Sequence, residues 1–246
     1  MTLPKLALLA VLGLLASSPA SAEAERSSER ELMVLTIANL AEAVGGPSGR
    51  RIDRAILEAM RQVPRHLLVP EEASGDAYLN AALPIGHGAT ISQPYIVALM
   101  TQLLDSGPDH VVLEVGTGSG YQAAVLSRLV RQVYSIEIVP ALADRAARDL
   151  ARLGYANVAV RAGDGYAGWP DRAPFDRIVV TAGADHIPQP LLDQLRPGGV
   201  MVIPLGRTSE TLELNVVRKD SRGRISRRRI AAVRFVPLVR APPAPR

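Results

Sequence analysis

The sequence predicts a doubly wound α/β fold: a mostly parallel sheet, a helical addition at the N-terminus and antiparallel strands at the end. Three features predict it. From residue 111 onward, short aliphatic runs alternate with helical stretches, the order that lays helices over a parallel sheet. The first of these runs opens into a glycine-rich turn and then a helix, VLEVGTGSGY at 112–121. The last two apolar runs are joined by a short basic turn with no helix between them, a connection only antiparallel neighbours can use.

Taken in order, the chain opens MTLPKLALLAVLGLLASSPASAEAE. Lys5, the apolar run 6–16 and the small residues Ala20-Ser21-Ala22 form the pattern of a signal peptide over 1–22, with Glu23 as the first mature residue. The alternatives are an uncleaved anchor, or a true start at Met33. Residues 23–49 read as a flexible lead-in to 31, a short helix over 32–44 and a GGPSG loop. The run 50–63 has Ile52, Ala55, Ile56, Ala59, Met60 and Val63 at helical spacing, and Pro64 stops it. Residues 65–93 show no sustained period and are expected to be irregular. PYIVALMTQLL (94–104) is a helix closed by Gly107-Pro108.

Strands are then expected at 111–115, 132–139, 157–165, 175–184 and 200–206, with helices at 121–130, 140–154 and 187–195. The helix 140–154 carries Pro at its start and Gly at its end, the expected asymmetry. The helix 187–195 should stop at RPGG. LELNVVRKD (212–220) and RISRRRIAAVRFVPLV (224–239) read as the late strands, and APPAPR (241–246) as a disordered tail.

Composition narrows the function. Aromatics are only 4% of the chain, so the core must be aliphatic, and with no cysteine there is neither a disulfide nor a thiol nucleophile. A net charge of +4 over 246 residues is too mild for a nucleic-acid binder. The basic run 218–229 has no interleaved aromatics and reads as a solvated hairpin turn. His66, His87, His110 and His186 lack metal-ligand spacing and read as surface or loop residues. No G-x-S-x-G elbow is present. Ser92, in GHGATISQPY (86–95), therefore has no triad to serve. Locally it reads as the N-cap of the helix that starts with Pro94.

The glycine turn carries the chemistry. Gly116, Gly118 and Gly120 allow a tight turn and close approach of a ligand. The spacing is G-x-G-x-G, and Tyr121 stands where the dinucleotide fingerprint has its third glycine. Glu137, about twenty residues beyond Gly116, ends the second strand and can reach ribose hydroxyls. Asp164, between Gly163 and Gly165 at the end of the third strand, can accept a bond from an exocyclic amine. An adenosine ligand without a pyrophosphate loop points to S-adenosylmethionine.

VPR (63–65), AYLNAALPIG (77–86), GATISQPY (88–95), VLEVGTGSGYQAA (112–124), GDG (163–165), APFDRIVVTA (173–182), IPQPLLDQLRPGG (187–199) and VRFVPLV (233–239) resemble, in order and spacing, the protein-L-isoaspartate O-methyltransferase family. The resemblance covers residues 50–240. TISQPY and VRFVPLV are the particular segments, while GTGSGY is shared by many methyltransferases. Leu68 departs from the family's usual phenylalanine and is expected to alter packing only. The resemblance implies a Rossmann-like S-adenosylmethionine methyltransferase sheet over 50–240. It also implies methyl transfer to the α-carboxyl of L-isoaspartyl residues in damaged proteins and peptides, returning through a succinimide to aspartyl. Gly116, Thr117, Gly118, Gly120, Glu137, Asp164 and Gly165 would hold the cofactor, released as S-adenosylhomocysteine. Ser92 would orient the acceptor carboxylate or the methyl donor. No metal, nucleic acid or stable membrane insertion is implied, and a monomer is expected. The leader implies a periplasmic or secreted protein, or a cytoplasmic one if it is unused or the start is Met33. Two other readings stay open: a methyltransferase on another acceptor, and a non-catalytic binding protein on the same fold.

Overall fold

The computed structural model describes residues 26–43, 51–207 and 211–240. The expected signal peptide, the GGPSG loop and the tail lie outside the described residues. The first helix, α1 (Ser27–Ala43), starts inside the stretch expected to be a flexible lead-in. Packing explains the difference: Met33, Val34 and Ile37 are buried, and the Arg26 guanidinium donates to the Ser74 carbonyl (2.6 Å). Helix α2 (Arg54–Gln62) follows, ended by Pro64.

Residues 65–93 are more regular than expected. They hold a 3-10 turn (Arg65–Leu68), a short α3 (Glu71–Ser74) and a hairpin of β1 (Leu83–Gly86) and β2 (Ala89–Ile91). Strands of four and three residues are too short to show a period of two in sequence. The hairpin turns through Gly86, His87 and Gly88, all at positive φ. His66 is a correction as well: it is buried, not a surface residue, and its Nδ1 lies 2.7 Å from the Tyr78 hydroxyl.

After α4 (Pro94–Leu104) come β3 (Val111–Val115), α5 (Tyr121–Ser127), β4 (Gln132–Glu137), α6 (Pro140–Arg152), β5 (Val158–Ala162), β6 (Phe175–Val180), α7 (Gln189–Gln194), β7 (Leu195–Leu205), β8 (Leu212–Lys219) and β9 (Ile225–Val233). The central sheet has the order β5-β4-β3-β6-β7-β8-β9. It is parallel as far as β7, and β8 and β9 are antiparallel. The chain winds outward from β3 to β5, then returns to lay β6 on the other side of β3. The strand order reverses there, and ligands of such sheets sit outside the carboxyl ends of the strands at that point.

Alternation sorts the strand side chains onto two faces. Val112, Val133, Val179, Val200 and Val202 pack with the core shared by α1, α2, α4, α5 and α6. Leu113, Val115, Ile136, Ile178, Val180, Met201 and Ile203 pack on the other face with Leu191 of α7. Both faces are aliphatic, as the scarcity of aromatics requires.

Two boundaries differ from expectation. RPGG does not separate α7 from a strand at 200; it lies within β7, which starts at Leu195 and shifts register opposite Phe175 and Arg177. RFVPLV is not strand either. Beyond Val233 the chain leaves the β8 ladder, because Val233 already pairs with Leu212, the first residue of β8; Pro237 makes only an isolated bridge with Gly183. The chain crosses the carboxyl ends of the central strands as a strap, held where Gly183 N donates to Val236 O (2.8 Å) and Leu238 N to Gly183 O (2.7 Å).

Candidate active site

The turn after β3 is shaped by its neighbours. Gly116 N and Thr117 N both donate to Ile136 O at the end of β4 (2.8 and 3.2 Å). Gly116 has φ +101°, and a Cβ there would lie 2.5 Å from Thr181 Oγ1. That hydroxyl donates to the Gly116 carbonyl (2.5 Å), so the space is filled and the backbone conformation is one L side chains avoid. Gly165 meets a different wall: its Cβ would fall 2.4 Å from Val115 Cγ1. Gly120 packs on Leu150 of α6.

Glu137 clamps the turn. One carboxylate oxygen accepts from Gly118 N (2.8 Å) and the other from Val139 N (3.0 Å). Each oxygen retains acceptor capacity. Asp164 Oδ1 accepts from Tyr166 N (2.8 Å), closing its own turn.

These elements enclose a cleft of about 270 Å³. Ser92, Gly116, Thr117, Gly118, Glu137 and Gly165 all line it. Gly120 and Asp164 sit beside it without lining it. Ile136, Ile138, Val139 and Leu238 supply apolar walls, and the turn of the β1–β2 hairpin covers it at His87 and Gly88. Arg145 of α6 ties that hairpin down by donating to Ile85 O (2.8 Å). Open glycine backbone, apolar walls and one carboxylate suit an adenosine with a short charged arm.

A second cavity of about 540 Å³ adjoins the first. Thr90, Ser92, Thr181 and Val236 line both. Ser92 is half-buried, and its hydroxyl has no hydrogen bond to any described residue. It is not the N-cap of α4. That position is Gln93, with no side-chain cap. Asn80 Oδ1 instead accepts from Tyr95 N (3.0 Å), so the cap arrives from fifteen residues away. The Ser92 hydroxyl is thereby left facing the two cavities.

Sequence reasoning missed three residues besides Asn80. Thr181 was read only as part of a strand. Tyr121, read as an absent glycine, is buried with its ring 4.7 Å from the Arg65 guanidinium. Burial pushes its phenol up and lowers Arg65 to about 10. Glu114 lies under the turn, fully buried in β3. Ser135 Oγ donates to it, and Ser135 Oγ is also 2.5 Å from Thr117 Oγ1. Burial pushes the Glu114 carboxyl up to about 8; the Ser135 bond opposes this and the Glu137 charge adds to it. The signal was present: an acid in the middle of the aliphatic run VLEV. Among the described residues there is no group of three or more metal-ligating side chains, and no helix long and apolar enough to cross a membrane.

The reversal of strand order, the glycine turn and the acid ending the neighbouring strand define a Rossmann-like methyltransferase fold. A solved Plasmodium falciparum structure holding S-adenosyl-L-homocysteine shares it, with TM-score 0.69 over 83% of this chain and 97% of that one at 24% identity. The protein-L-isoaspartate(D-aspartate) O-methyltransferase family pattern matches residues 48–242, and the chain belongs to that family. A relative from Syntrophobacter fumaroxidans, protein-L-isoaspartate O-methyltransferase 2, is 60% identical over 187 residues, 76% of each chain. A solved protein-L-isoaspartate O-methyltransferase superposes with TM-score 0.74 at 27% identity, over 85% of this chain and 65% of that longer one.

Proposed function

We propose that this chain transfers a methyl group from S-adenosylmethionine to the α-carboxyl of L-isoaspartyl residues in damaged proteins and peptides. The ester closes to a succinimide, whose hydrolysis returns some normal aspartyl. The observation that carries this reading, within the family, is the meeting of two cavities at Ser92. One has the glycine turn and the carboxylate that a nucleoside needs. The other is an open groove that can take an extended chain.

The acceptor carboxylate is already ionised near neutral pH, so no strong base is required. S-adenosylmethionine supplies, when bound, a methyl group activated on a sulfonium. The protein's task is alignment and exclusion of water. Gly116, Thr117, Gly118, Gly120 and Gly165 keep the backbone open to the cofactor. Glu137 accepts the ribose hydroxyls with its remaining lone pairs. Asp164, beside the cleft, would accept from the adenine amine, and Ile138, Val139 and Leu238 would flank the base. Ser92 donates its hydroxyl to the acceptor carboxylate and holds it toward the methyl group. The hairpin and the strap close over both partners.

The test is labelled S-adenosylmethionine with paired isoaspartyl and aspartyl peptides. Base-labile methyl ester confined to the isoaspartyl peptide is expected; no ester, or equal ester on both, overturns the assignment. Within the same reading the methyltransferase domain spans 50–240, the protein acts as a monomer, and the leader exports it to the periplasm. N-terminal sequencing of protein from fractionated cells is expected to give Glu23. An intact leader in the cytoplasmic fraction overturns export.

A further inference from the structure

The groove beside Ser92 contains a single charged side chain among its described lining residues, Arg234. The rest are neutral, including Asn80, Gln93, Thr181 and Thr211. No hydrogen bond or ion pair holds the Arg234 guanidinium among the described residues. Other arginines of the same hairpin are engaged: Arg229 pairs with Glu213 (3.2 Å) and Arg224 with Asp220 (2.7 Å). Glu213 lies opposite Ala232 in the register, so the β8 acid beside Arg234 is already taken.

Placement narrows what this cation meets. Val236 lines both cavities and lies two residues along the chain. Their Cα atoms are therefore at most about 7 Å apart, which is about two residues of an extended peptide. A cation bonded to the reacting carboxylate itself would withdraw the electron density that attacks the methyl group. One displaced by one or two residues leaves that carboxylate reactive and acts on the neighbouring side chain. A guanidinium takes a carboxylate in bidentate fashion, and in a groove with no acid among its described lining residues it sets a positive potential.

We propose that Arg234 is a specificity-determining residue of the acceptor groove, favouring isoaspartyl segments with Asp or Glu within two residues of the methylated position and disfavouring Lys or Arg there. The proposal rests on the isoaspartyl reading above. Its test uses three isoaspartyl peptides identical except for one neighbouring residue, Glu, Gln or Lys, methylated by the full chain. The wild-type kcat/KM is expected to rank Glu above Gln above Lys by roughly 2–5-fold per step, the strength of an exposed ion pair, carried mainly by KM. Raising the salt compresses the ranking. Arg234→Ala flattens it, Arg234→Glu inverts it and Arg234→Lys keeps its order. Methylation of all three peptides without a charge ranking, or a ranking that survives Arg234→Glu, overturns the role of Arg234 alone. No methyl ester on any peptide overturns the isoaspartyl reading and this proposal with it.

Discussion

On the proposed cofactor side of the cleft nearly every polar group is engaged within the protein, whereas on the proposed acceptor side the Ser92 hydroxyl and the Arg234 guanidinium have no hydrogen-bond partner among the described residues. Gly116 N, Thr117 N, Gly118 N and both oxygens of Glu137 are bonded before any ligand arrives. The proposed cofactor site is thus a backbone shape, preset by positive φ angles and, at Gly116 and Gly165, by neighbours that leave no room for a Cβ. The acceptor side is a set of side chains brought from the hairpin, the start of α4 and the strap. A rigid cradle serves a ligand that never varies. A groove whose donors have no partner among the described residues suits the proposed acceptors, which share one carboxylate and differ in everything around it.

Substitutions on the two sides should fail in different ways. The largest effect is expected from Gly116→Ala, which adds a Cβ 2.5 Å from Thr181 Oγ1 at a φ of +101°. Strain of about 1–3 kcal/mol, with the clash added, should lower S-adenosylhomocysteine affinity at least about tenfold by calorimetry. Unchanged affinity would mean that the turn is not a preset cradle. Ser92→Ala should do the opposite: kcat falls roughly 10–100-fold, the loss of a bond to a charged group, while cofactor affinity stays nearly constant. Equal losses in both quantities would erase the distinction between the sides.

A smaller effect separates them by pH. The Glu114 carboxyl sits at about 8 when folded and near the ordinary carboxylate value when unfolded. Between those values the native state holds a proton that the unfolded chain lacks, so stability is present at low pH and is lost as pH rises through about 8. Urea midpoints measured from pH 5 to 8 should therefore fall in the wild type and flatten in Glu114→Gln. The smallest change is expected from Asn80→Ala, which removes the cap on Tyr95. It should cost about 0.5–2 kcal/mol, read as a lower Tm, and loosen the acceptor side alone.

The half of the cleft built on the glycine turn was the more legible in sequence, for a physical reason. Gly116, Gly118 and Gly120 all take positive φ, a local demand that few other residues meet, so the demand is written in the residues themselves. Glu137 follows at a distance set by one helix and one strand. The acceptor half was harder to read. The hairpin strands are too short for a period, and RFVPLV has the composition of a strand although its partner β8 runs out at Leu212 and leaves it only an isolated bridge at Pro237. Ser92 and Pro94 look like a capped helix start, yet the cap is Asn80. Glu114 was missed although it is an acid in an aliphatic run, because its partner Ser135 lies on another strand.

The sequence by itself determined the strand and helix alternation, the glycine turn, the acid that clamps it and the aliphatic core. These depend on periodicity and on backbone preferences that act within a few residues. Only the tertiary structure decided that α1 docks on the core, that Asn80 frees Ser92 from capping, and that the strap brings Arg234 beside it. Those outcomes depend on which distant surfaces bury one another, and no local pattern encodes that choice.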